Sequence, residues 1–269
     1  MRTLLHLSDL HFGRTDPTVV TALHGAIETI RPDLVVVSGD LTQRARSAEF
    51  RAAREFLDRL PHPRVVVPGN HDVPMYRVWE RFMNPLGKFR RYIGPELAPE
   101  FVDDEVAVLG INTARSLTFK NGRINEAQMR SIQERLRPLP ETLTRIVVTH
   151  HPFDLPDTPG DGELVGRAGT AMEVFARSGV DLLLAGHFHT TQSGETSGRY
   201  PIPSYSALVV QAGTATSTRG RGESNSFNVV RVGSGEIVVE PWAWQAGSGL
   251  FEAAAGARFR REAGRWVAV

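Results

Sequence analysis

Short, almost uninterrupted apolar runs recur through the first four-fifths of the chain. They are Leu4–Leu7, Leu34–Val37, Val65–Val67, Val106–Ile111, Ile146–Val148, Leu182–Leu184 and Ala207–Val210. They do not alternate with polar residues, most are rich in β-branched side chains, and most stop at a Ser, Asn, Thr or Pro. Such runs predict strands covered on both faces. Between them lie helical patterns. Thr18–Ile30 places Val19, Ala22, Leu23, Ala26, Ile27 and Ile30 on one face. Ser47 is the expected N-cap of a helix reaching Leu60, with Phe50, Ala53, Leu57 and Leu60 inward. Asn125, with Gln128 three residues on, predicts a capped helix carrying Met129, Ile132 and Leu136 and stopped by Pro138. A further helix is expected over Gly169–Ser178.

After about Ala185 the helical patterns cease. Ser226–Val232, Glu236–Trp244 and Arg258–Val269 read as hairpin strands, with turns at Gly233-Ser234-Gly235 and Ala263-Gly264. Trp242 and Trp244 share one face of a strand, because side chains alternate with period two. The pattern as a whole predicts an α/β fold in one domain spanning residues 1–269, with a β-rich part over 205–269. Two stretches are loop-rich: Pro74–Pro99, expected to cap or rim a site, and Gly213–Asn225.

The polar residues that end the runs are chemically selective. Asp9-Leu10-His11 follows the first, Gly39-Asp40 the second and Gly69-Asn70-His71-Asp72 the third. His150-His151-Pro152 follows the run at Ile146, and Gly186-His187-Phe188-His189 the run at Leu182. Six of the nine histidines fall in these clusters, and strand ends are where open α/β sheets gather their ligands. Carboxylate and imidazole without thiolate suit borderline divalent ions: Mn, Fe, Zn or Co. The candidate ligands are too many for one tetrahedral ion but sufficient for two, provided a carboxylate bridges them. Two ions so held clamp the attacking and leaving oxygens of a phosphoryl transfer.

Composition narrows the setting. Hydrophobic residues make up 41% and charged residues 23% of the chain, which excludes disorder and a simple coiled coil. Thirty-one Lys+Arg against 30 Asp+Glu leave a formal net charge of +1, so no bulk field draws the chain to nucleic acid. There is no cysteine, which removes disulfides, thiolate ligands and a Cys nucleophile. No apolar stretch reaches the roughly 20 residues of a membrane span, and the apolar run at the N-terminus is too short for a secretory signal. The expectation is a soluble cytoplasmic protein.

The ordered set Asp-x-His, Gly-Asp, Gly-Asn-His-Asp, His-x-Pro and Gly-His-x-His, running from Asp9 to His189, resembles the calcineurin-like metallophosphoesterase superfamily. The forms Asp-Leu-His-Phe, Ser-Gly-Asp-Leu-Thr and Thr-His-His-Pro-Phe look most like its bacterial class III cyclic-nucleotide phosphodiesterase and glycerophosphodiesterase branch. The resemblance implies a four-layer αββα sandwich of two mixed sheets flanked by helices. It assigns Asp9, His11 and His189 to one metal, Asn70, His150 and His187 to a second, and Asp40 to the bridge. His150 rather than His151 takes the ligand role because it fills the first position of His-x-Pro. A metal-activated hydroxide would attack phosphorus, His71 would serve the leaving oxygen, and Asp72 would orient His71. One position departs from the common pattern: Gln43 stands where many members carry an acidic residue.

The implied activity is hydrolysis of a small-molecule phosphodiester, such as cAMP or a glycerophosphodiester, with two divalent or mixed-valence ions. A phosphomonoesterase, a nuclease, a nucleotide-sugar or lipid pyrophosphatase and a non-catalytic scaffold are the competing readings. Three residues are candidates for substrate contact: His151, beside the ligands, and Arg219 and Arg221, in a Gly/Ser/Thr-rich loop whose guanidinium forks match phosphate. Arg115 is a weaker candidate for the same role. Trp242, Trp244 and the apolar C-terminal residues mark a surface on which a homodimer is worth testing.

Overall fold

Continuous apolar runs become strands that are buried on both faces. The structure, a computed structural model, describes residues 1–118, 120–155, 164–218 and 223–269. In chain order its elements are β1 (Arg2–Leu7), α1 (Pro17–Ile30), β2 (Leu34–Ser38), α2 (Ser47–Asp58), β3 (Arg64–Val67), α3 (Val78–Met83), α4 (Gly87–Tyr92), β4 (Glu100–Val102) and β5 (Val106–Gly110). There follow α5 (Glu126–Leu136), β6 (Thr144–Val148), α6 (Ala168–Ser178), β7 (Leu182–Ala185), β8 (Gln192–Glu195) and β9 (Leu208–Gln211). The chain closes with β10 (Ser226–Gly233), β11 (Glu236–Gln245), β12 (Leu250–Ala253), β13 (Ala257–Glu262) and β14 (Arg265–Ala268).

Two mixed sheets result. One runs β14-β13-β11-β10-β1-β2-β3, with β12 paired to β11; the other runs β4-β5-β6-β7-β9-β8. Each strand of the middle gives alternate residues to two cores. Leu4, Val36, Val65, Val108, Ile146, Leu184 and Val210 meet between the sheets. Leu5, Val35 and Val37 face outward under α1, α2 and α4. Leu109, Val147, Leu183 and Val209 face outward under α5 and α6. This is the expected αββα sandwich, and each fully buried Leu, Ile or Val contributes about 1.5–3 kcal/mol.

Local chemistry sets the helix ends. Asp16 Oδ1 accepts from Thr18 N–H at 2.8 Å, ahead of Pro17 at the start of α1. Asn125 and Gln128 cap α5 reciprocally: Asn125 Oδ1 accepts from Gln128 N–H at 2.9 Å, and Gln128 Oε1 from Asn125 N–H at 3.1 Å. At α2 the expectation fails. Ser47 is already helical and Arg46 is the cap position, with no side-chain cap bond. The carboxylate of Glu49 does the work instead, accepting from the N–H groups of Arg44 at 2.8 Å and Arg46 at 3.1 Å.

Strands β4, β8 and β12 were not legible from apolar runs. The first two lie at the edges of the second sheet and the third pairs only with β11, so none needs a continuous buried run. The last predicted strand, Arg258–Val269, is a hairpin of β13 and β14 folded at the anticipated Ala263-Gly264 turn, where both residues have positive φ. Trp266 is buried between the sheets and donates its indole N–H to Asp181 Oδ1 at 3.2 Å. Trp242 stacks on Phe227 and Trp244 packs on Phe251. The aromatic C-terminal part is therefore mostly spent inside the fold. Among the described residues no helix is long and apolar enough to cross a membrane.

Candidate metal centre

Strands β1, β2 and β3 are mutually parallel, and so are β5, β6, β7 and β9. The loops leaving β1, β2, β3, β6 and β7 converge, and they bring Asp9, His11, Asp40, Asn70, His71, His150, His187 and His189 together. Pairing continues past the strands: His11 N–H donates to Asp40 O at 2.9 Å and Phe12 N–H to Leu41 O at 2.9 Å. Five of these residues turn sharply. Asp9, His11, Asp40, His187 and His189 all have φ between 48° and 80°. Non-glycine residues held there cost roughly 1–3 kcal/mol each, so the surrounding structure must enforce the turns. Gly186 allows the closest approach. A Cβ there would lie 1.8 Å from Ser8 Oγ and 2.6 Å from Asp9 Oδ2, and its absence lets His187 N–H donate to Asp9 Oδ2 at 3.0 Å.

The donor atoms form two triangles. In one, Asp9 Oδ1, His11 Nε2 and His189 Nε2 are separated by 3.1–3.4 Å. In the other, Asn70 Oδ1, His150 Nε2 and His187 Nδ1 are separated by 3.1–3.3 Å. Asp40 Oδ2 lies between them, 3.3 Å from His150 Nε2 and 3.7 Å from His11 Nε2. Ligand atoms about 2.1 Å from a tetrahedral ion stand about 3.4 Å apart, so each triangle has the dimensions of one coordination face. Asp9 Oδ1 is buried without a hydrogen-bond donor, as a carboxylate oxygen waiting for a cation would be. The residues fit a pair of divalent ions.

The candidate ligands are held from behind. His150 Nδ1 donates to Ser38 O at 2.8 Å, which leaves the Nε2 lone pair facing the site. Ser8 Oγ donates to Asp9 Oδ2 at 2.6 Å. Thr214 Oγ1 and Thr216 Oγ1 donate to the carbonyls of Asp9 and Leu10, both at 2.7 Å. The buried charges shape one another. Burial alone would raise Asp40, but His150, then His71, together hold it well below the carboxylate range. Burial likewise works against a charged His150, yet the Asp40 carboxylate pushes it up to about 9. His187 falls to about 3, through burial first and the neighbouring His150 second.

His71 sits beside this cluster. Its ring meets that of His11 edge to face at 4.9 Å, its N–H donates to Asp40 Oδ1 at 2.8 Å, and its Nδ1 pairs with Gln43 O at 2.8 Å. The orienting partner expected from the sequence, Asp72, has another task. Its carboxylate accepts from Leu41 N–H, Thr42 N–H, Thr42 O–H and Gly69 N–H at 2.9–3.2 Å. Asp72 thus staples the Asp40 loop to the Asn70 turn, and a backbone carbonyl holds the imidazole.

The remaining candidates lie as follows. His151 packs behind His150, its Nδ1 on Thr113 Oγ1 at 2.8 Å and its Nε2 on Lys120 O at 3.0 Å. Both nitrogens are engaged, and burial, then the charges of His150 and His187, lower its pKa. Arg115 bonds the Gln128 side chain at the start of α5. Asn112 caps a turn, accepting from Ala114 N–H at 2.9 Å. Arg219 and Arg221 lie outside the described residues. The preceding Thr214–Ser217 stretch is buried beneath the Asp9 loop, so its hydroxyls support the ligands. Within 74–99, α4 packs on α2 through Phe89. Tyr76, Trp79, Phe82 and Met83 remain exposed, and buried Arg81 ties the segment to the carbonyls of Pro74, Ser116 and Thr118. Sequence reasoning missed Ser8, Ser38, Thr214 and Thr216 as supports. The Thr-rich stretch was visible, but its contact with Asp9, about 200 residues away, was not.

Three comparisons bear on this site. The calcineurin-like phosphoesterase family model matches residues 2–191. The 3',5'-cyclic adenosine monophosphate phosphodiesterase CpdA of Escherichia coli (strain K12) is 29% identical over 191 residues, covering 68% of this chain and 66% of that protein. The chain thus spans just under two thirds of that relative. The cAMP/cGMP dual specificity phosphodiesterase of Mycobacterium tuberculosis (strain CDC 1551 / Oshkosh) is 29% identical over 261 residues, covering 85% of this chain and 75% of that protein. Among solved structures, a dimetal phosphatase from Danio rerio superposes with a TM-score of 0.64 at 15% identity, covering 89% of this chain and 95% of that one, which is a likeness of fold. The chain belongs to the calcineurin-like phosphoesterase family.

Proposed function

We propose that this family member is a binuclear metal-dependent phosphodiesterase that hydrolyses a small-molecule phosphodiester, with a cyclic nucleotide as the leading candidate. The observation that carries the reading is the pair of donor triangles with Asp40 between them. Asp9, His11 and His189 would hold one ion, Asn70, His150 and His187 the other, and Asp40 both. Nitrogen and oxygen donors of this kind accept Mn, Fe, Zn or Co. When bound, such ions supply Lewis-acid charge at the phosphoryl oxygens and a nucleophile at neutral pH. The names of the two bacterial relatives support the substrate class.

The chain's own contribution centres on His71. The Nδ1 contact with Gln43 O assigns proton transfer to Nε2. As an imidazolium, His71 donates from Nε2 to the departing oxygen, which would otherwise leave as an alkoxide. The bond from His71 N–H to Asp40 Oδ1 locks this acid to the bridging carboxylate, so acid and metal pair keep a fixed spacing. His150, held by Ser38 O, and Asp9, held by Ser8, keep their donor atoms in place without rearrangement.

Hydrolysis of bis-p-nitrophenyl phosphate beside p-nitrophenyl phosphate, with manganese-reconstituted protein and an EDTA control, tests the reading. Faster, EDTA-sensitive cleavage of the diester is expected, followed by turnover of cAMP. Preference for the monoester would identify a phosphatase instead. No turnover by protein shown to carry two ions would point to a scaffold.

A further inference from the structure

The site continues past His71 into a cavity of about 180 Å³ that the metal ligands leave unused. Arg14, Gln43, Arg44, Met75 and Tyr76 line it together with His71. The Arg44 guanidinium lies over the Tyr76 ring, 5.7 Å from its centroid. Among the described residues no carboxylate forms an ion pair with Arg14 or Arg44. The acids near them in sequence are engaged elsewhere: Asp16 accepts from Thr18 N–H, Asp40 faces His11 and His150, and Glu49, buried beneath Gly13, accepts from the backbone N–H groups of Arg44 and Arg46. Gln43 adds no negative charge where an acidic residue would, and its Oε1 is buried without a hydrogen-bond partner.

Both arginines rise from fixed backbone. Arg14 N–H donates to His11 O at 2.9 Å, and Arg14 O accepts from Thr218 N–H at 2.9 Å. Arg44 is held by Glu49, and the next residue, Ala45, donates its N–H to Thr42 Oγ1 at 3.2 Å. Two guanidinium groups on anchored stems, beside an aromatic face, make a receptor for a planar anion. Its place beside His71, which serves the departing oxygen, puts that anion on the leaving group.

We infer that this cavity is a specificity pocket on the leaving-group side and that, among diesters with a separate leaving alcohol, it favours one that is planar and carries a second negative charge. The same charge pattern turns away leaving groups that carry an ammonium. The inference rests on the phosphodiesterase reading for its reaction, while the binding it predicts is independent of turnover.

Two measurements on the full-length, manganese-loaded protein test it. The first compares kcat/KM for methyl 3-carboxy-4-nitrophenyl phosphate with that for methyl 4-nitrophenyl phosphate. The carboxylated ester is expected to be favoured about tenfold, and the ratio to fall to near one in Arg14→Ala/Arg44→Ala. The second is equilibrium dialysis of 4-nitrobenzoate against 4-nitrobenzyl alcohol. The carboxylate is expected to bind more tightly, by a margin that shrinks at least fivefold in the double variant; anion held by the metal pair alone would be insensitive to those substitutions. A ratio of one or less in the unaltered protein, or carboxylate binding that the substitutions leave unchanged, overturns the pocket. Arginine-dependent binding with no turnover of either ester would leave the pocket standing and refute the hydrolase reading.

Discussion

Asp9, Asp40 and His150, at the floor of the site, are at most 1% exposed, and each is gripped by several partners. Tyr76, at the rim, is 71% exposed and Trp79 77%. On the floor, donors from five loops are packed so closely that their lone pairs face one another, at a cost in strained backbone and buried charge. That cost is offset in part by the hydrogen bonds of Ser8, Ser38, Asp72, Thr214 and Thr216, and bound cations would offset it further. The rim carries no comparable strain. Its side chains meet solvent and can be exchanged without unsettling the core. The contrast separates what the reaction requires from what a particular substrate requires.

The sharpest break of the floor is Asp40→Asn, which removes the charge shared by both triangles. Metal content measured by mass spectrometry is expected to fall below two ions per chain, and diester turnover by about 10⁴-fold. Full activity with one ion would refute the bridge. His71→Ala comes next. Turnover of a diester with a poor leaving group, such as cAMP, is expected to fall about 10²–10³-fold, and that of bis-p-nitrophenyl phosphate much less. Equal losses on both would remove His71 from proton donation.

A third prediction concerns pH and the layer beneath the floor. Burial depresses His6 to about 3, while its Nε2 pairs with Ser38 Oγ at 2.9 Å. The unfolded chain binds a proton near pH 6.5 that the folded chain refuses. Stability is therefore fully present above about pH 6.5 and is lost as pH falls toward 3. Between pH 6.5 and 5 the loss is about 2 kcal/mol. His6→Gln should flatten this part of the profile, followed by thermal unfolding in EDTA so that metal release does not contribute. An unchanged slope would show that His6 is not its source. The smallest effect belongs to the rim. Trp79→Ser is expected to change stability by less than about 0.5 kcal/mol and to leave metal content unaltered. A loss of several kcal/mol would mean that the rim is part of the core after all.

The clustered donors of the floor stood out in the sequence and 74–99 was marked as a cap or rim stretch, but the arginines beside His71 were not singled out, for a physical reason. Metal chemistry needs particular atoms, and a parallel sheet exposes them only where strands end. Asp9, Asp40, Asn70, His150 and His187 therefore declare themselves by their place after apolar runs. Arg14 and Arg44 also sit in the loops after β1 and β2, but arginine on a loop is common and nothing local distinguishes these two. Ser47 shows the converse error. It looked like a helix cap, yet Glu49 reaches the free N–H groups more effectively from inside the first turn. Asp72 was placed beside its sequence neighbour His71, whereas its four donors come from the Leu41–Thr42 segment, Thr42's hydroxyl included, and from Gly69.

The sequence by itself determined the two-sided strands, the α/β class and the residue types that gather at the strand ends, which follow from periodicity and ligand chemistry acting on neighbouring residues; the layered sandwich came with the family resemblance that those motifs carry. Only the tertiary structure decided which lone pairs meet and which backbone turns left-handed at Asp9, His11, Asp40, His187 and His189. It alone showed that Thr214 supports Asp9, and that two arginines line a cavity with His71 and, among the described residues, form no ion pair with a carboxylate. These depend on distances between segments far apart in the chain, and packing sets such distances where no local pattern records them.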